Sequence, residues 1–219
     1  MRSELFRQID GYIEKLFAPA DAALKGALKD SSKAGLPEIN VSAAEGKLLF
    51  LLARCCGARR ILEIGTLGGY STIWLARALP AGGMLLSLEL EEKHAEVARR
   101  NVARAGLEKL VEIRTGAALD SLGRLVAAKE AAFDVIFIDA DKENYPGYLE
   151  YALKLSRSGT LILGDNCIRN GEVLKARGGA GLMAIKEFNR RLADDSRLEA
   201  TLLPIIRERL DGLAIARVK

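Results

Sequence analysis

Two apolar runs of the sequence end in acid and amide side chains that could hold a metal ion. The run that begins at Phe133 ends with Asp139, and the run that begins at Thr160 ends with Asp165 and Asn166. Neighbouring strands lie about 4.8 Å apart, so the carboxyl ends of successive parallel strands converge on one point. Two carboxylates and an amide supply hard oxygen ligands and leave positions for water or substrate oxygens, which suits Mg²⁺. The sequence therefore predicts a divalent-cation site formed by Asp139, Asp165 and Asn166.

Lys142 lies three residues after Asp139 and is the candidate general base or charge stabiliser. Phenolic hydroxyls have pKa values near 10. A divalent cation on the phenolic oxygen and an ammonium group beside it both lower that pKa. We therefore expect Lys142 to accept a proton from a hydroxyl held at the metal site, or to stabilise its charge. The alternative is a solvated lysine in a loop.

A glycine-rich segment, Glu63–Ser71, follows an earlier apolar run and opens a helical pattern. Glycines let the backbone turn tightly and approach a ligand, and the helix N-terminus favours polar or anionic groups. Glu89 ends the next apolar run, where an acid can accept two hydrogen bonds from ribose hydroxyls. This order of strand, loop, helix, strand and acid predicts a nucleotide-type cofactor.

The spacing of the glycines and the position of Glu63 favour one cofactor over another. A dinucleotide loop has the pattern G-x-G-x-x-G around a pyrophosphate, whereas this loop has G-x-x-G-G, beginning at Gly65. The carboxylate of Glu63, two residues before Gly65, would repel a pyrophosphate but suits the amine of S-adenosylmethionine. The sequence therefore favours a methyl donor over NAD.

Short apolar runs alternate with helical patterns from Arg59 onward, which is typical of a parallel sheet covered by helices on both faces. Two further strands are predicted near the C-terminus, joined by a turn at Glu208–Gly212. The predicted strands are Ile61–Gly65, Met84–Leu88, Leu110–Arg114, Phe133–Ala140, Thr160–Gly164, Leu198–Ile206 and Leu213–Val218. The predicted helices are Tyr70–Leu79, Glu92–Ala105, Ala118–Ala128, Tyr145–Leu155 and, approximately, Leu182–Leu192.

The N-terminal residues 1–35 have apolar positions at helical spacing, and Gly35-Leu36-Pro37 ends that segment. Ser42 and Glu45 fit a capping box that opens a helix running to Cys56. We expect one domain over residues 1–219, with a helical extension at 1–35 and a catalytic core at 36–219.

The composition is that of one globular α/β domain. The chain has 219 residues, of which 49% are apolar and 28% charged, so disorder is excluded. The net charge of +4 is spread along the chain and is weak support for nucleic-acid binding. No run approaches the roughly 18 apolar residues of a membrane span, and the N-terminus shows no export signal. Neither a nucleic-acid nor a membrane partner is therefore expected.

The cysteine and histidine counts limit the possible chemistry. Three cysteines do not form a disulfide framework, and the adjacent Cys55 and Cys56 are expected at a buried helix end. We expect reduced thiols and a cytoplasmic protein. His94 is the single histidine of the sequence, which argues against a zinc site or a Ser-His-Asp triad.

Taken together, these motifs resemble the cation-dependent, S-adenosylmethionine-dependent O-methyltransferases of the catechol and caffeoyl-coenzyme A type, particularly the small bacterial members. The resemblance covers about residues 36–219 and is most specific at Leu62–Ala76, Ile136–Tyr145 and Leu163–Asn166. It implies a Rossmann-like class I methyltransferase fold, with about seven mostly parallel strands and a reversed last strand. It also implies a homodimer that methylates one hydroxyl of a catechol-like small molecule.

The resemblance assigns roles residue by residue. It implies that Lys142 and Asp139 are catalytic and that Asp139, Asp165 and Asn166 bind Mg²⁺ or a similar cation. The residues implied to bind S-adenosylmethionine are Val41, Glu63, Gly65, Thr66, Gly69, Ser71, Glu89, Ala118 and Asp139. The segment from Cys167 to Gly181 receives no assigned substrate contact, and the tail has charges where many relatives have a short glycine turn.

Three other functions stay open at this point. An NAD(P)-dependent oxidoreductase would explain the glycine loop and Glu89 but would leave Glu63 and the acid cluster without a role. A nucleic-acid methyltransferase would need a basic stripe with aromatic residues for base stacking, and aromatic residues are only 5% of the chain. A non-catalytic protein of the same fold is the third alternative.

Overall fold

The computed structural model describes residues 2–206 and 210–219, whose seven strands form one sheet in the order β3-β2-β1-β4-β5-β7-β6. The strands are β1 (Arg60–Ile64), β2 (Met84–Glu89), β3 (Val111–Thr115), β4 (Val135–Ile138), β5 (Leu161–Gly164), β6 (Leu198–Ile206) and β7 (Leu210–Val218). The helices are α1 (Arg2–Phe17), α2 (Ala22–Lys33), α3 (Ala43–Cys55), α4 (Tyr70–Ala78), α5 (Glu92–Arg104), α6 (Ala118–Ala127), α7 (Tyr145–Lys154) and α8 (Ala180–Asp194). Two 3₁₀ segments, Lys142–Asn144 and Arg169–Leu174, follow β4 and β5.

Strands β1 to β5 are parallel, whereas β7 runs antiparallel to both β5 and β6. The predicted Rossmann-like sheet with a reversed last strand is therefore confirmed. The chain proceeds from β1 to β2 and β3 on one side and then returns to place β4 on the other side of β1. This reversal opens a crevice at the carboxyl ends of the strands, which is where ligands bind in open α/β sheets.

The sheet separates two apolar cores, as the near-continuous apolar strands predicted. Ile61 packs with α2 to α5 on one face, and Leu62 packs with α6 to α8 on the other. Successive residues of a strand point to opposite faces, so Glu63 shares the face of Ile61, beneath α4. Helices therefore cover both faces of the sheet, with one apolar core between the sheet and the helices on each face.

The helical spacing of apolar residues near the N-terminus corresponds to two helices, α1 and α2. The capping box also forms: Ser42 Oγ accepts from the Glu45 amide at 3.2 Å, and Glu45 Oε2 accepts from the Ser42 amide at 2.7 Å. Within the part of the chain that the structure describes, no helix combines the length and apolar character needed to cross a membrane.

The structure corrects the prediction for Cys55 and Cys56, which are exposed and not buried. The apolar stripe of α3 that packs on the sheet contains Leu49 and Ala53, and the last residues of the helix lie beyond it. Cys167, in contrast, is buried, and all three cysteines are free thiols.

The two closing strands exist as an antiparallel pair, but the predicted boundary between them was wrong. Leu210, Asp211 and Gly212 are part of β7 and not of a turn, while Glu208 and Arg209 lie outside the described residues. A Cβ atom on Gly212 would approach Ile168 Cγ1 to 2.6 Å. This glycine therefore allows a close approach of two segments, and its presence does not mark a turn.

Strand β4 is also shorter than predicted, since it ends at Ile138 and not at Ala140. Asp139 is consequently the first residue after the strand. It leaves the sheet at the same edge as Asp165, which follows the last residue of β5.

Candidate active site

A cleft of about 1440 Å³ lies over the carboxyl ends of β1, β2, β4 and β5. It joins the glycine loop to Asp139, which follows β4, and to Asn166, which follows β5. The predicted site residues that line this cleft are Val41, Gly65, Thr66, Ser71, Glu89, Ala118, Asp139, Lys142 and Asn166. Three other predicted residues, Glu63, Gly69 and Asp165, are outside the lining and lie beneath or behind it.

The glycine loop approaches β4 at Gly65. Gly65 has a φ of +97°, and a Cβ atom here would collide with the backbone oxygen of Asp139. A side chain at this position would therefore separate the two strand ends that form the cleft. Gly69 has a φ of +83°, and a Cβ atom here would lie only 3.2 Å from Ala98, so its absence lets the start of α4 pack closely against α5. Its role is helix packing behind the cleft.

Glu63 is fully buried beneath the cleft wall and does not face the cleft itself. Its Oε1 accepts from Ser71 Oγ at 2.7 Å, and its Oε2 accepts from Thr72 Oγ1 at 2.5 Å and Ser87 Oγ at 2.6 Å. Burial raises the pKa of Glu63 to about 7, although the three hydroxyl donors oppose that rise. The surface that a ligand meets at this point is Ser71, whose hydroxyl Glu63 orients.

Glu89 lines the cleft and also anchors the glycine loop. Its Oε2 accepts from the backbone amides of Thr66 at 3.1 Å and Leu67 at 2.7 Å. Its Oε1 accepts from the Glu91 amide at 3.0 Å and lies 3.3 Å from His94 Nδ1. Leu67 has a φ of +50°, an unusual conformation for a branched residue. The carboxylate of Glu89 thus stabilises a strained turn at the edge of the cleft.

Asp139 and Asp165 directly follow β4 and β5, which are paired strands. Ile138 is in register with Gly164, and the Asp165 amide donates to the Ile138 carbonyl at 3.0 Å. Asp139 lines the cleft, whereas the Asp165 side chain is buried and its Oδ1 accepts from the Asn166 amide at 2.7 Å. The shared strand edge therefore brings the predicted ligand residues into one region.

The donor set fits a hard divalent cation. Across residues 2–206 and 210–219, no group of three or more His, Cys, Asp or Glu side chains is arranged to hold a metal. The set predicted here instead combines the carboxylates of Asp139 and Asp165 with the amide of Asn166. Asn166 Nδ2 donates to Asp211 Oδ2 at 3.1 Å, so the amide oxygen is the atom of this side chain that could bind a cation. Oxygen donors of this kind match Mg²⁺.

Lys142 is held between an acid and a phenol at the cleft. Its Nζ lies 3.0 Å from Asp139 Oδ1 and 2.8 Å from Tyr145 Oη, and it is largely buried. Tyr145 is fully buried, and its hydroxyl lies within donating distance of the carbonyls of Ile138, at 3.1 Å, and Asp165, at 2.9 Å. Burial keeps the pKa of Tyr145 well above 10, so its oxygen is available to accept from Lys142.

Tyr145 and Asp211 were not predicted as site residues from the sequence. The available signal for Tyr145 is its position three residues after Lys142, which one helical turn brings onto the same side. Asp211 gave no such signal, because its contacts at the cleft are with Asn166, Ile168 and Arg169, more than 40 positions earlier. The segment from Cys167 to Gly181, for which no substrate contact was predicted, also reaches the cleft. Its residues Arg169 and Lys175 are part of the cleft lining.

A profile of the family described as O-methyltransferase matches residues 17–219. The chain belongs to this O-methyltransferase family. It is 47% identical to the catechol O-methyltransferase of Niastella koreensis, with all of both chains covered. It is 44% identical to the catechol O-methyltransferase of Mycobacterium tuberculosis, over 96% of this chain and 95% of that one. Family membership confirms the resemblance described above and decides against the oxidoreductase alternative.

A solved structure of a family member supports the fold of this O-methyltransferase in detail. The O-methyltransferase from Bacillus cereus, solved in complex with SAH, superposes with a TM-score of 0.96 and 47% identity. The match covers 99% of this chain and all of that one.

The raised pKa of Glu63 predicts a pH dependence of stability. The folded state holds this proton more tightly than the unfolded state, whose carboxyl titrates near 4.5. The unfolding free energy should therefore fall as pH rises from about 4.5 to 7, by about 3 kcal/mol at most. Glu63→Gln cannot ionise and should lack this component, as measured by urea unfolding between pH 5 and 8. Exposed Glu96→Gln on α5 is the control, and equal pH slopes for wild type and Glu63→Gln would contradict the prediction.

Proposed function

We propose that this O-methyltransferase transfers the methyl group of S-adenosylmethionine to one hydroxyl of a catechol-like molecule, with a divalent cation bound at Asp139, Asp165 and Asn166. The observation that carries the proposal is the continuity of the cleft. One cavity joins the glycine loop and Glu89 on one side to Lys142 and two of the predicted cation ligands, Asp139 and Asn166, on the other. A methyl donor and a hydroxyl acceptor could therefore meet within it.

The cofactor would occupy the side of the cleft formed by the ends of β1 and β2. The Ser71 hydroxyl and the backbone at Gly65 would contact its methionine part, with the Glu63 carboxyl behind them. Glu89 would bind the ribose, and the adenine would lie near Ala118, at the start of α6. The SAH bound to the Bacillus cereus relative supports this choice of cofactor. Val41, Thr66 and Asp139 complete the proposed contacts, while Gly69 would act indirectly, by allowing α4 to pack against α5.

The acceptor would occupy the side of the cleft formed by the ends of β4 and β5. A bound divalent cation would supply the positive charge that lowers the pKa of a phenolic hydroxyl. Two vicinal hydroxyls suit such a site because both oxygens can approach one cation. The names of the two catechol O-methyltransferase relatives support this acceptor class.

Lys142 would act on the acceptor proton. Asp139 and Tyr145 hold the Lys142 side-chain nitrogen beside the proposed hydroxyl. Its ammonium form would stabilise the phenolate, whereas its neutral amine form would accept the proton. The phenolate oxygen would attack the sulfonium methyl in line. An O–C bond forms as the C–S bond breaks, which yields the methyl ether and S-adenosylhomocysteine.

The opposite charges of phenolate and sulfonium disappear along the reaction path. Water would stabilise the separated charges, so the walls of the cleft must exclude water and hold oxygen, carbon and sulfur in line. Positioning of this kind is worth roughly 7–11 kcal/mol in favourable model reactions.

The direct test is methyl transfer from S-adenosylmethionine to a panel of dihydroxyphenyl compounds and their monohydroxy analogues, in Mg²⁺ and in EDTA. We expect turnover with the vicinal diols in Mg²⁺ and its loss in EDTA, followed by recovery when Mg²⁺ is restored. Asp165→Ala should abolish the activity together with its metal dependence. Full turnover in EDTA would disprove the cation requirement, and transfer to monophenols at equal rates would disprove the catechol preference.

Lys142→Met should lower kcat by about 10²- to 10⁴-fold, the usual range for loss of a general acid–base group. Methionine keeps the apolar stem, so the affinity for S-adenosylmethionine should stay near that of the wild type in calorimetry. Lys154→Met, at an exposed position on α7, is the matched control and should retain wild-type kcat. Loss of cofactor binding by a folded Lys142→Met variant would argue against the proposed role.

We also propose that residues 1–35 act as an extension of the core at 36–219 and form a homodimer contact through α1. Phe6 and Ile13 are partly buried, yet a second apolar stripe on α1 is exposed. This stripe consists of Leu5, Ile9, Tyr12 and Leu16. A second copy of the chain would remove it from water. The cytoplasmic location stays a prediction.

The double variant Ile9→Asp/Tyr12→Asp tests this dimer contact, since it places two charges on the exposed stripe of α1. We expect a dimer for wild type and a monomer for the double variant in size-exclusion chromatography with light scattering. Glu14→Gln, an exposed substitution on the same helix, should remain dimeric. A monomeric wild type, or a double variant that stays dimeric, would refute the proposed contact.

A further inference from the structure

Asp211 belongs to β7 but lies at the cleft, next to the predicted cation ligands. Strand β7 is antiparallel to β5, with Gly164 in register with Ala214. The beginning of β7 therefore lies beside the carboxyl end of β5, and the Cys167 amide donates to the Gly212 carbonyl at 2.9 Å. A parallel strand in this position would deliver its last residues here and not its first ones. The reversed strand thus brings Asp211 to the region of Asn166.

Both carboxylate oxygens of Asp211 have assigned donors, and the side chain is buried, with only 4% of the residue exposed. Oδ1 accepts from the backbone amides of Ile168 at 3.2 Å, Arg169 at 3.0 Å and Gly212 at 2.9 Å. Oδ2 accepts from Asn166 Nδ2 at 3.1 Å. The backbone donors fix Oδ1, and Oδ2 is then directed at the Asn166 side chain.

A primary amide has two chemically different ends, and only the oxygen can bind a cation. Because a carboxylate can only accept, its contact with Asn166 fixes the amide nitrogen on the Asp211 side. The amide oxygen is then left as the ligand atom. Hydrogen bonds that orient a metal ligand from behind in this way are worth about 10- to 100-fold in metal affinity.

We propose that Asp211 is the positioning residue that sets the orientation of the Asn166 amide, so that its oxygen binds the catalytic cation. The proposal rests on the cation site of the proposed function. The start of β7 then does more than pair with β5 and β6. Its Asp211 determines whether Asn166, just after β5, presents its amide oxygen or its amide nitrogen to the cation.

Asp211→Asn separates this role from simple anchoring of the loop. The asparagine Oδ1 can still accept from the three backbone amides, so the loop keeps its hydrogen bonds. The Nδ2 of residue 211 then faces the Nδ2 of Asn166, and two donors cannot pair. Rotation of the Asn166 amide by half a turn restores a hydrogen bond but turns its nitrogen toward the cation.

The double variant Asn166→Asp/Asp211→Asn reverses the pair. One oxygen of the new carboxylate at position 166 accepts from the amide at 211, and the other oxygen remains for the cation. The net charge is that of the wild type. Asn166 has a φ of +57°, and aspartate also tolerates this left-handed conformation, so the exchange adds little backbone strain.

The experiment measures Mn²⁺ affinity by electron paramagnetic resonance of the free ion, in the presence of saturating S-adenosylhomocysteine. We expect Asp211→Asn to weaken Mn²⁺ binding by about 10- to 100-fold, with the thermal midpoint and the cofactor affinity close to wild type. The double variant should recover most of the Mn²⁺ affinity. The variant Asp194→Asn makes the same chemical change at an exposed position of α8, outside the cleft. It should bind Mn²⁺ like the wild type.

Asp211→Glu separates orientation from charge, because it keeps the negative charge but moves the carboxylate by one methylene. Orientation by Asp211 requires weakened Mn²⁺ binding in a folded Asp211→Glu variant, and unchanged binding would show that charge alone matters. Wild-type Mn²⁺ affinity in Asp211→Asn, or no recovery in the double variant, would overturn the inference. Absence of Mn²⁺ binding by the wild type would remove the cation site and this inference together. Binding by wild type and Asp211→Asn alike would remove only the inference.

Discussion

The pairing of β1 with β2 on one side and β4 on the other determines where this O-methyltransferase can hold ligands. Parallel strands end at one edge of the sheet, and the change of direction at β1 leaves a crevice between the connections that follow β1 and β4. Gly65 permits the two strand ends to approach closely, because any side chain at this position would collide with the backbone of Asp139. The glycine-loop side and the Lys142 side of the cleft are therefore neighbours because of the strand order.

Buried polar groups beneath the cleft hold its lining residues in place. Glu63 accepts from Ser71, Glu89 fixes the glycine loop through two backbone amides, and Tyr145 holds Lys142 while it bonds to the ends of β4 and β5. Burying such groups is unfavourable unless their hydrogen bonds are made. Burial raises the pKa of Glu63 even though three hydroxyl groups donate to its carboxylate. These hydrogen bonds therefore offset only part of the unfavourable burial, while the one from Ser71 fixes a hydroxyl of the cleft lining.

The reversed strand β7 places another buried polar group, the carboxylate of Asp211, at the cleft. Asp139 and Asp165 are the first residues after β4 and β5, which end at this edge of the sheet, whereas Asp211 lies here because β7 begins at this edge. Its antiparallel direction supplies a carboxylate from a part of the chain more than 40 residues away. The antiparallel pair of β6 and β7 therefore forms one edge of the sheet and also lines the cleft, through Asp211.

The sequence alone determined the order of strands and helices, the capping box at Ser42, and the residue types at the strand ends. These features depend on periodicity and on neighbours within a few positions, which a single sequence displays directly. Only the tertiary structure decided that Glu63 lies beneath the cleft wall, that Cys55 and Cys56 face solvent, and that Asp211 meets Asn166. Each of these outcomes depends on which face of an element is covered by a distant part of the chain. A local sequence pattern does not specify this covering, because the contacts between an element and a distant segment form only when strands far apart in sequence become neighbours.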